Sequence, residues 1–272
     1  MFSSTGLHIH PAWSEMTERI GFIGTGAIAE AIVTGLAAAP RELREIWVSP
    51  RNQETAARLS GRHALVHVGR DNQDVADRCD LLCLAVRPQV AQQVLSQLHL
   101  TSTHYILSFI ATWNRERIAA LMPEVKHIVR LAPLPMVAQA IGPTIIYPDD
   151  RVATELFASL GAAIPVRDED AFDSLFASTS LMGSFFAMIE AQAMWLHQQG
   201  IPYPDARTYL ASLFNGLVCT ANTRREPFAE LSKEFSTAGG LNEQMTADLE
   251  SQGVFRAQAS ALDRILARIR KQ

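Results

Sequence analysis

The shortages in this sequence say more than its excesses. No charge of one sign dominates: 24 basic and 28 acidic residues leave a net charge of −4, and they are scattered along the chain. Nothing supplies the basic stripe that a nucleic-acid backbone demands, so nucleic acid is not expected as a partner. Cysteine is scarce. Cys79, Cys83 and Cys219 make an odd number without paired-motif spacing, and they read as reduced core residues of a cytoplasmic protein. No apolar run approaches the roughly 20 residues that cross a bilayer, so no membrane span is expected. The first residues lack the basic segment and continuous apolar stretch of a secretory leader. Metal ligands are sparse too: His8 and His10 form an isolated H-x-H pair. His63 and His67 have helical i, i+4 spacing, but Ala64-Leu65-Val66 between them reads as strand. No metal site is expected.

What is present is apolar residue in quantity and in pattern. With 272 residues, 48% of them apolar, the chain can bury two modest cores, and its length favours two domains. Residues 1–15 read as a flexible extension ahead of Met16, residues 16–168 as a nucleotide-binding domain and residues 169–272 as a helical domain. From Arg19 to Val166, Val/Ile/Leu runs alternate with Ala- and Gln-rich stretches, predicting strands at 19–23, 46–49, 64–68, 81–86, 105–108, 127–131, 144–147 and 163–167. This is the pattern of an α/β fold, a doubly wound, mostly parallel sheet of Rossmann type. Leu81 to Val86 contains no polar residue, as in a parallel strand with helices on both faces. Beyond Val166 the pattern is helical alone: 170–199, then a turn at Gly200-Ile201-Pro202, a helix near 205–223 and another after Gly239-Gly240 toward Ile269. Phe185, Phe186, Met188, Ile189, Met194 and Trp195 exceed what one thin helical layer buries, so this all-α domain is read as a homodimer interface, with a monomeric helical core as the other reading.

Ile20-Gly21-Phe22-Ile23-Gly24-Thr25-Gly26-Ala27-Ile28-Ala29 is a strand entering G-x-G-x-x-A and then a helix. Gly24 permits the tight turn, Gly26 admits a pyrophosphate to the backbone, and Ala29 lets helix and strand pack closely. Thr25, Ala27 and Ile28 complete the phosphate-binding segment, whose N–H groups begin a helix. At the end of the second strand, Ser49-Pro50-Arg51-Asn52 has no carboxylate to take ribose hydroxyls. The Ser49 hydroxyl and Arg51 guanidinium suit a 2′-phosphate instead, so NADP is expected, NADPH in preference to NADH.

These residues and others downstream resemble the pyrroline-5-carboxylate reductases. Gly21 to Gly26 is similar to the family's G-F-I-G-x-G, and Asn72 falls at its asparagine near the adenosine. Leu84-Ala85-Val86-Arg87-Pro88-Gln89 resembles A-V-K-P-Q, a segment that lines the cofactor. Ile189-Glu190-Ala191, Gly239-Gly240 and Leu249-Glu250 with Gly253 to Ala257 fall where the family has its helical motifs. The resemblance implies hydride transfer from NAD(P)H to the C=N of a cyclic imine acid, proline being the product. It also implies helical domains interlocked as dimers or larger rings, and a substrate carboxylate on backbone N–H groups at Gly239, Gly240, Leu241 and Asn242.

The departures from the pattern gather at the substrate motifs. The chain has Arg130-Leu131-Ala132-Pro133-Leu134-Pro135-Met136 for R-x-M-P-N-T-P, Ser178-Thr179-Ser180-Leu181-Met182-Gly183-Ser184 for S-G-S-G-P-A-Y, and Ala238-Gly239-Gly240-Leu241-Asn242 for P-G-G-T-T. Ser178, Ser180, Asn242 and Arg130 are the candidate catalytic side chains. For Arg130 the other reading is a tie from strand end to carboxylate, and for the serines a helix cap. Swapped polar partners change substrate preference, so an NADP-dependent reductase of a different imine or of an oxo or hydroxy acid is a second reading. A β-hydroxyacid dehydrogenase is disfavoured, because 170–199 contains no lysine; His197, near a helix C-terminus, suits the dipole better than catalysis. From another class comes a non-catalytic NADPH-binding dimer responsive to redox state, with Glu190 and Gln192 at its interface or facing solvent.

Overall fold

The computed structural model describes residues 19–39, 43–110 and 112–271. The expected extension 1–15, the His8/His10 pair and the Met16 start lie outside the described residues.

Eight strands form one sheet: β1 (Arg19–Ile23), β2 (Glu45–Val48), β3 (Val66–Val68), β4 (Leu81–Leu84), β5 (Tyr105–Ser108), β6 (His127–Pro133), β7 (Pro143–Tyr147) and β8 (Ala162–Pro165). They lie in the order β3-β2-β1-β4-β5-β6-β7-β8. Every neighbouring pair is parallel except β6 and β7. Each expected strand is found, with ends displaced by at most two residues. The order reverses beside β1, which pairs with β2 on one edge and β4 on the other, and in open parallel sheets that reversal opens a ligand crevice at the strands' carboxyl ends.

The helices between the strands are α1 (Ala27–Ala38), α2 (Gln53–Arg62), α3 (Asn72–Arg78), α4 (Pro88–Leu95), α5 (Arg115–Leu121) and α6 (Arg151–Ala158). Several start where the sequence carries a capping side chain: Asn52 accepts from the Thr55 N–H, Asp71 from Asp74, Asn114 from Arg117 and Asp150 from Ala153. Each such cap contributes about 1 kcal/mol. Alternation along the strands divides the core between the two faces of the sheet. Ile20 and Phe22 of β1 join Leu81 and Cys83 of β4 in one cluster, while Ile23 joins Leu82 and Leu84 in the other. Leu81, Leu82, Cys83 and Leu84 are all fully buried, and each large side chain so placed contributes roughly 1.5–3 kcal/mol.

This first compact unit runs to Phe176, and a second comprises Ala177–Lys271. After α7 (Glu169–Ser178), which ends within it, the second unit holds α8 (Leu181–Gln198), α9 (Tyr203–Thr223), α10 (Phe228–Phe235), α11 (Leu241–Ser251) and α12 (Val254–Ile269). α8 and α9 meet through buried Ala193, Ala206 and Leu210, with Ile189, Leu196 and Phe214 packed around them. The Tyr203 hydroxyl of α9 donates to Glu190 of α8 at 2.6 Å, so Glu190 braces its own helical pair. α10 was not anticipated from the sequence, although Phe228, Leu231 and Phe235 recur at helical spacing after Pro227.

Two expectations are corrected. Cys79 and Cys83 are buried, but Cys219 is exposed, because it lies on an outward face of α9. The helical run Glu169–Gln198 is long and apolar enough, by length and composition, to cross a membrane, contrary to the expectation that no segment would be. Its apolar side chains escaped notice because Ser, Gly, Gln and Glu interrupt them.

Candidate nucleotide cleft and helical turn

The crevice predicted by the strand order is a cleft of about 560 Å³ lined by Gly24, Thr25, Gly26, Arg51, Asn52, Gln53, Ala85, Val86, Arg87 and Val90. Its floor is the turn between β1 and α1. Gly24 has φ +101°, and a β-carbon there would lie 2.7 Å from the Ala85 carbonyl oxygen, so both conformation and space require glycine. Gly26, exposed at the N-terminus of α1, is different: a β-carbon would meet no protein atom within 4 Å. That open space lies over the first, unpaired N–H groups of α1, the arrangement that receives a pyrophosphate.

The second strand holds this turn in place. The buried Ser49 hydroxyl accepts the Gly24 N–H at 2.8 Å, the Thr25 hydroxyl donates to the Ser49 carbonyl at 3.2 Å, and the Asn52 amide donates to the Thr25 carbonyl at 3.2 Å. Ser49 thus buttresses the glycine turn from beneath the cleft and is not among the residues that line it, whereas Arg51 is exposed at its rim. The first turn of α1 carries an acid, Glu30, which alone would oppose a phosphate; Arg58 of α2 grips it with two nitrogens at 2.9 Å and removes that opposition. On the opposite wall, Ala85 donates its N–H to Ile23 at 2.8 Å, ending β4, and Val86 and Arg87 follow before Pro88 opens α4.

Of the expected cofactor residues, Gly24, Thr25, Gly26, Arg51, Ala85, Val86 and Arg87 come together in this cleft. Ala27 and Ile28 form the first turn of α1 beside it, and Pro88 the first of α4. Asn72 opens α3, outside the lining. Sequence reasoning missed Asn52, whose signal was its place as a cap directly after the second strand. Below Asn72, Arg70 donates to Asp74 from side chain and backbone, at 2.8 and 3.0 Å. Arg78 adds a further bond, and together they hold the Asp74 carboxyl well below the usual carboxylate range.

The expected catalytic residues fall on both units, Arg130 in the first and Ser178, Ser180 and Asn242 in the second. Arg130 of β6 is 3% exposed, bonded to Glu169 at 3.0 Å and Asp173 at 3.3 Å, and stacked 4.2 Å over the Phe172 ring. It matches its second reading, a tie between strand and helix: both arms of the guanidinium are engaged with α7 carboxylates. Ser178 ends α7. Ser180 precedes α8 but does not cap it; its hydroxyl donates back to the Ala177 carbonyl at 2.7 Å.

The turn before α11 is equally specific. Gly239 has φ +73° and donates its N–H to the Glu243 carboxylate at 2.7 Å, and the Gly240 N–H goes to the Thr237 carbonyl at 2.8 Å. The Asn242 amide reaches back to the Phe235 carbonyl at 2.9 Å, while Leu241 is 86% exposed.

A family model described as NADP oxidoreductase, coenzyme F420-dependent, matches residues 19–112, and one described as pyrroline-5-carboxylate reductase dimerisation matches residues 169–272. The pyrroline-5-carboxylate reductase of Haemophilus influenzae is 26% identical over 260 residues, covering 92% of this chain and 95% of its own. Among solved structures, that of a pyrroline-5-carboxylate reductase from Coxiella burnetii superposes with a TM-score of 0.82 at 24% identity, covering 94% and 98% of the two chains. That of the Plasmodium falciparum pyrroline carboxylate reductase with NADP bound gives 0.79 at 17% identity, covering 92% and 96%. These structures share the fold, a Rossmann-type domain followed by a helical dimerisation domain. With one model on its nucleotide half, another on its helical half, and a relative aligned along most of both chains, the chain belongs to the pyrroline-5-carboxylate reductase family.

Proposed function

We propose that this protein is an NADPH-dependent reductase that adds hydride to the C=N bond of a cyclic imine, with pyrroline-5-carboxylate as the reference substrate. The observation that carries the reading is the cleft at the reversal of strand order, where an open glycine turn stands beside Arg51 and Asn52 and residues 49–52 after β2 include no carboxylate. Gly26 admits the diphosphate, and the N–H groups opening α1 bind it. Arg51 and Asn52 at the rim favour the 2′-phosphate of NADP over a bare ribose, which calls for an acidic partner at this position. When bound, the dihydronicotinamide supplies the hydride. A protonated imine is already electrophilic, so the protein's task is chiefly to orient it, and good orientation supplies several kcal/mol, roughly 7 at the low end of measured effective molarities. Ser178 and Asn242 remain the polar side chains to test on the substrate side. The free thiols Cys79, Cys83 and Cys219 suit the reducing cytoplasm.

Cofactor preference tests the cleft. Arg51→Ala is expected to weaken NADPH binding about tenfold, the value of one charge-assisted contact, and to leave NADH binding unchanged. Equal effects on the two cofactors would remove Arg51 from the phosphate site.

A further inference from the structure

Arg58 stands outside the lining of the nucleotide cleft, yet it bears on how the cofactor is held; the inference rests on the reading proposed above. A dinucleotide brings its charged diphosphate to the opening of α1, where Ala27, Ile28 and Ala29 precede the first intrahelical bond, from the Glu30 N–H to the Gly26 carbonyl at 3.0 Å. Glu30 lies about 5 Å along the axis from that opening, at 1.5 Å per residue. Helical side chains lean toward the N-terminus, so an unrestrained Glu30 carboxylate would compete with the diphosphate for the positive end of the same dipole. Among the described residues, those lining the cleft bring two guanidinium groups, Arg51 and Arg87, and no carboxylate. The adverse charge comes from the phosphate-binding helix itself. Arg58 of α2 takes it up: Nε donates to one Glu30 oxygen and Nη2 to the other, both at 2.9 Å. This fork neutralises the carboxylate and draws it sideways toward α2. The guanidinium is steadied by its own helix, through the Thr55 hydroxyl at 3.3 Å and Glu54 at 3.5 Å. With side chains 33% and 29% exposed, the pair adds little to folding stability. We infer that Arg58 is a positioning residue for the cofactor, which holds the Glu30 carboxylate away from the diphosphate and so sets the affinity for either nicotinamide dinucleotide.

The experiment measures Kd for NADPH and for NADH in the wild type, Arg58→Ala, Glu30→Gln and the double variant. Each is titrated at about 0.02 M and about 0.5 M salt, the second of which screens charges beyond a few ångströms, and thermal unfolding is recorded alongside. At low salt Arg58→Ala should weaken both cofactors by about fivefold or more, because both carry the diphosphate; this sets it apart from Arg51, whose loss should be felt by NADPH alone. The difference from wild type should narrow at high salt. The double variant should return close to wild-type affinity, since the adverse charge leaves with Glu30. Glu30→Gln alone should bind both cofactors at least as tightly as wild type, a test that stands even if Arg58→Ala does not fold. A weakening that persists in the double variant, or that salt does not reduce, would overturn the inference and leave Arg58 a brace between α1 and α2. Loss of NADPH binding alone would overturn it too, by assigning Arg58 to the 2′-phosphate. Wild-type affinities retained in Arg58→Ala would remove the role of Arg58 and leave the reductase reading standing. Failure of the wild type to bind either dinucleotide would remove that reading, and the inference with it.

Discussion

The sheet unit and the helical unit treat the same kind of side chain in opposite ways. In the first, Phe22, Ile32, Leu81, Leu84 and Phe157 are fully buried in cores that the unit completes by itself. In the second, burial at the contact of α8 and α9 is limited to Ala193, Ala206 and Leu210, while Phe186 is 69% exposed, Trp195 60%, Tyr209 62% and Phe228 76%. An apolar excess of this size on a monomer's surface marks an interaction face. The match of this half to a dimerisation model supports a second copy of the chain as the occupant. One unit is stabilised from within and carries the candidate nucleotide cleft; the other leaves its large apolar side chains exposed.

The sharpest way to break that contrast is to charge the exposed face. Phe186→Glu with Trp195→Glu should dissociate the oligomer to monomers, since aromatic anchors of interfaces contribute about 2 kcal/mol or more each. Analytical ultracentrifugation would show the lower mass, while NADPH binding in the sheet unit is retained. An unchanged mass would mean the face is covered by something other than a second copy.

Next in size is Arg130→Ala, which leaves the Glu169 and Asp173 carboxylates without their cation. Removing one partner of a buried pair costs about 3–5 kcal/mol, and the partial exposure of Glu169 places this case near the lower value. Chemical denaturation should report the loss, with kcat of the protein that remains folded unaltered. A catalytic collapse without loss of stability would return Arg130 to the active site.

The two glycines of the turn sharpen the comparison within the sheet unit. Gly24→Ala forces a β-carbon against the Ala85 carbonyl at a φ of +101° and should cost about 1–3 kcal/mol of stability as well as cofactor affinity. Gly26→Ala meets no protein atom, so it should leave the melting temperature in place and weaken NADPH binding alone. Equal stability losses at both positions would contradict the cleft as described.

The smallest expected effect concerns the thiols. Burial pushes Cys79 up to about 12 and Cys83 well above its ordinary value, so both stay protonated at neutral pH and inert as nucleophiles. Titration of the folded protein with a thiol reagent should modify Cys219 and spare the other two. Rapid reaction at Cys79 or Cys83 would show that the sheet core opens more readily than its packing implies.

The sheet was legible in the sequence because its signals are local. Apolar runs of strand length, a glycine motif between strand and helix, and capping residues such as Asn52 and Asp150 each act within a few residues. The strand ends were less legible, because Ala85 and Val86 leave the strand to line the cleft, a choice made by their neighbour Ile23. The candidate catalytic residues were the least legible. The partners of Arg130 lie about forty residues away in Glu169 and Asp173, and no local pattern announces them. The role of Ser49 likewise depends on a turn 25 residues upstream. The pairing of Glu30 with Arg58 was hidden in the same way, because an acid in the first turn of a helix is ordinary and its partner lies 28 residues downstream.

The most direct test of the account is NADPH oxidation by the oligomeric protein over a panel of cyclic imines that includes pyrroline-5-carboxylate and 1-pyrroline, repeated with NADH. The account predicts turnover of at least one cyclic imine, faster with NADPH than with NADH. Tight NADPH binding with no turnover of any imine in the panel would contradict it and leave a nucleotide-binding dimer without reductase chemistry.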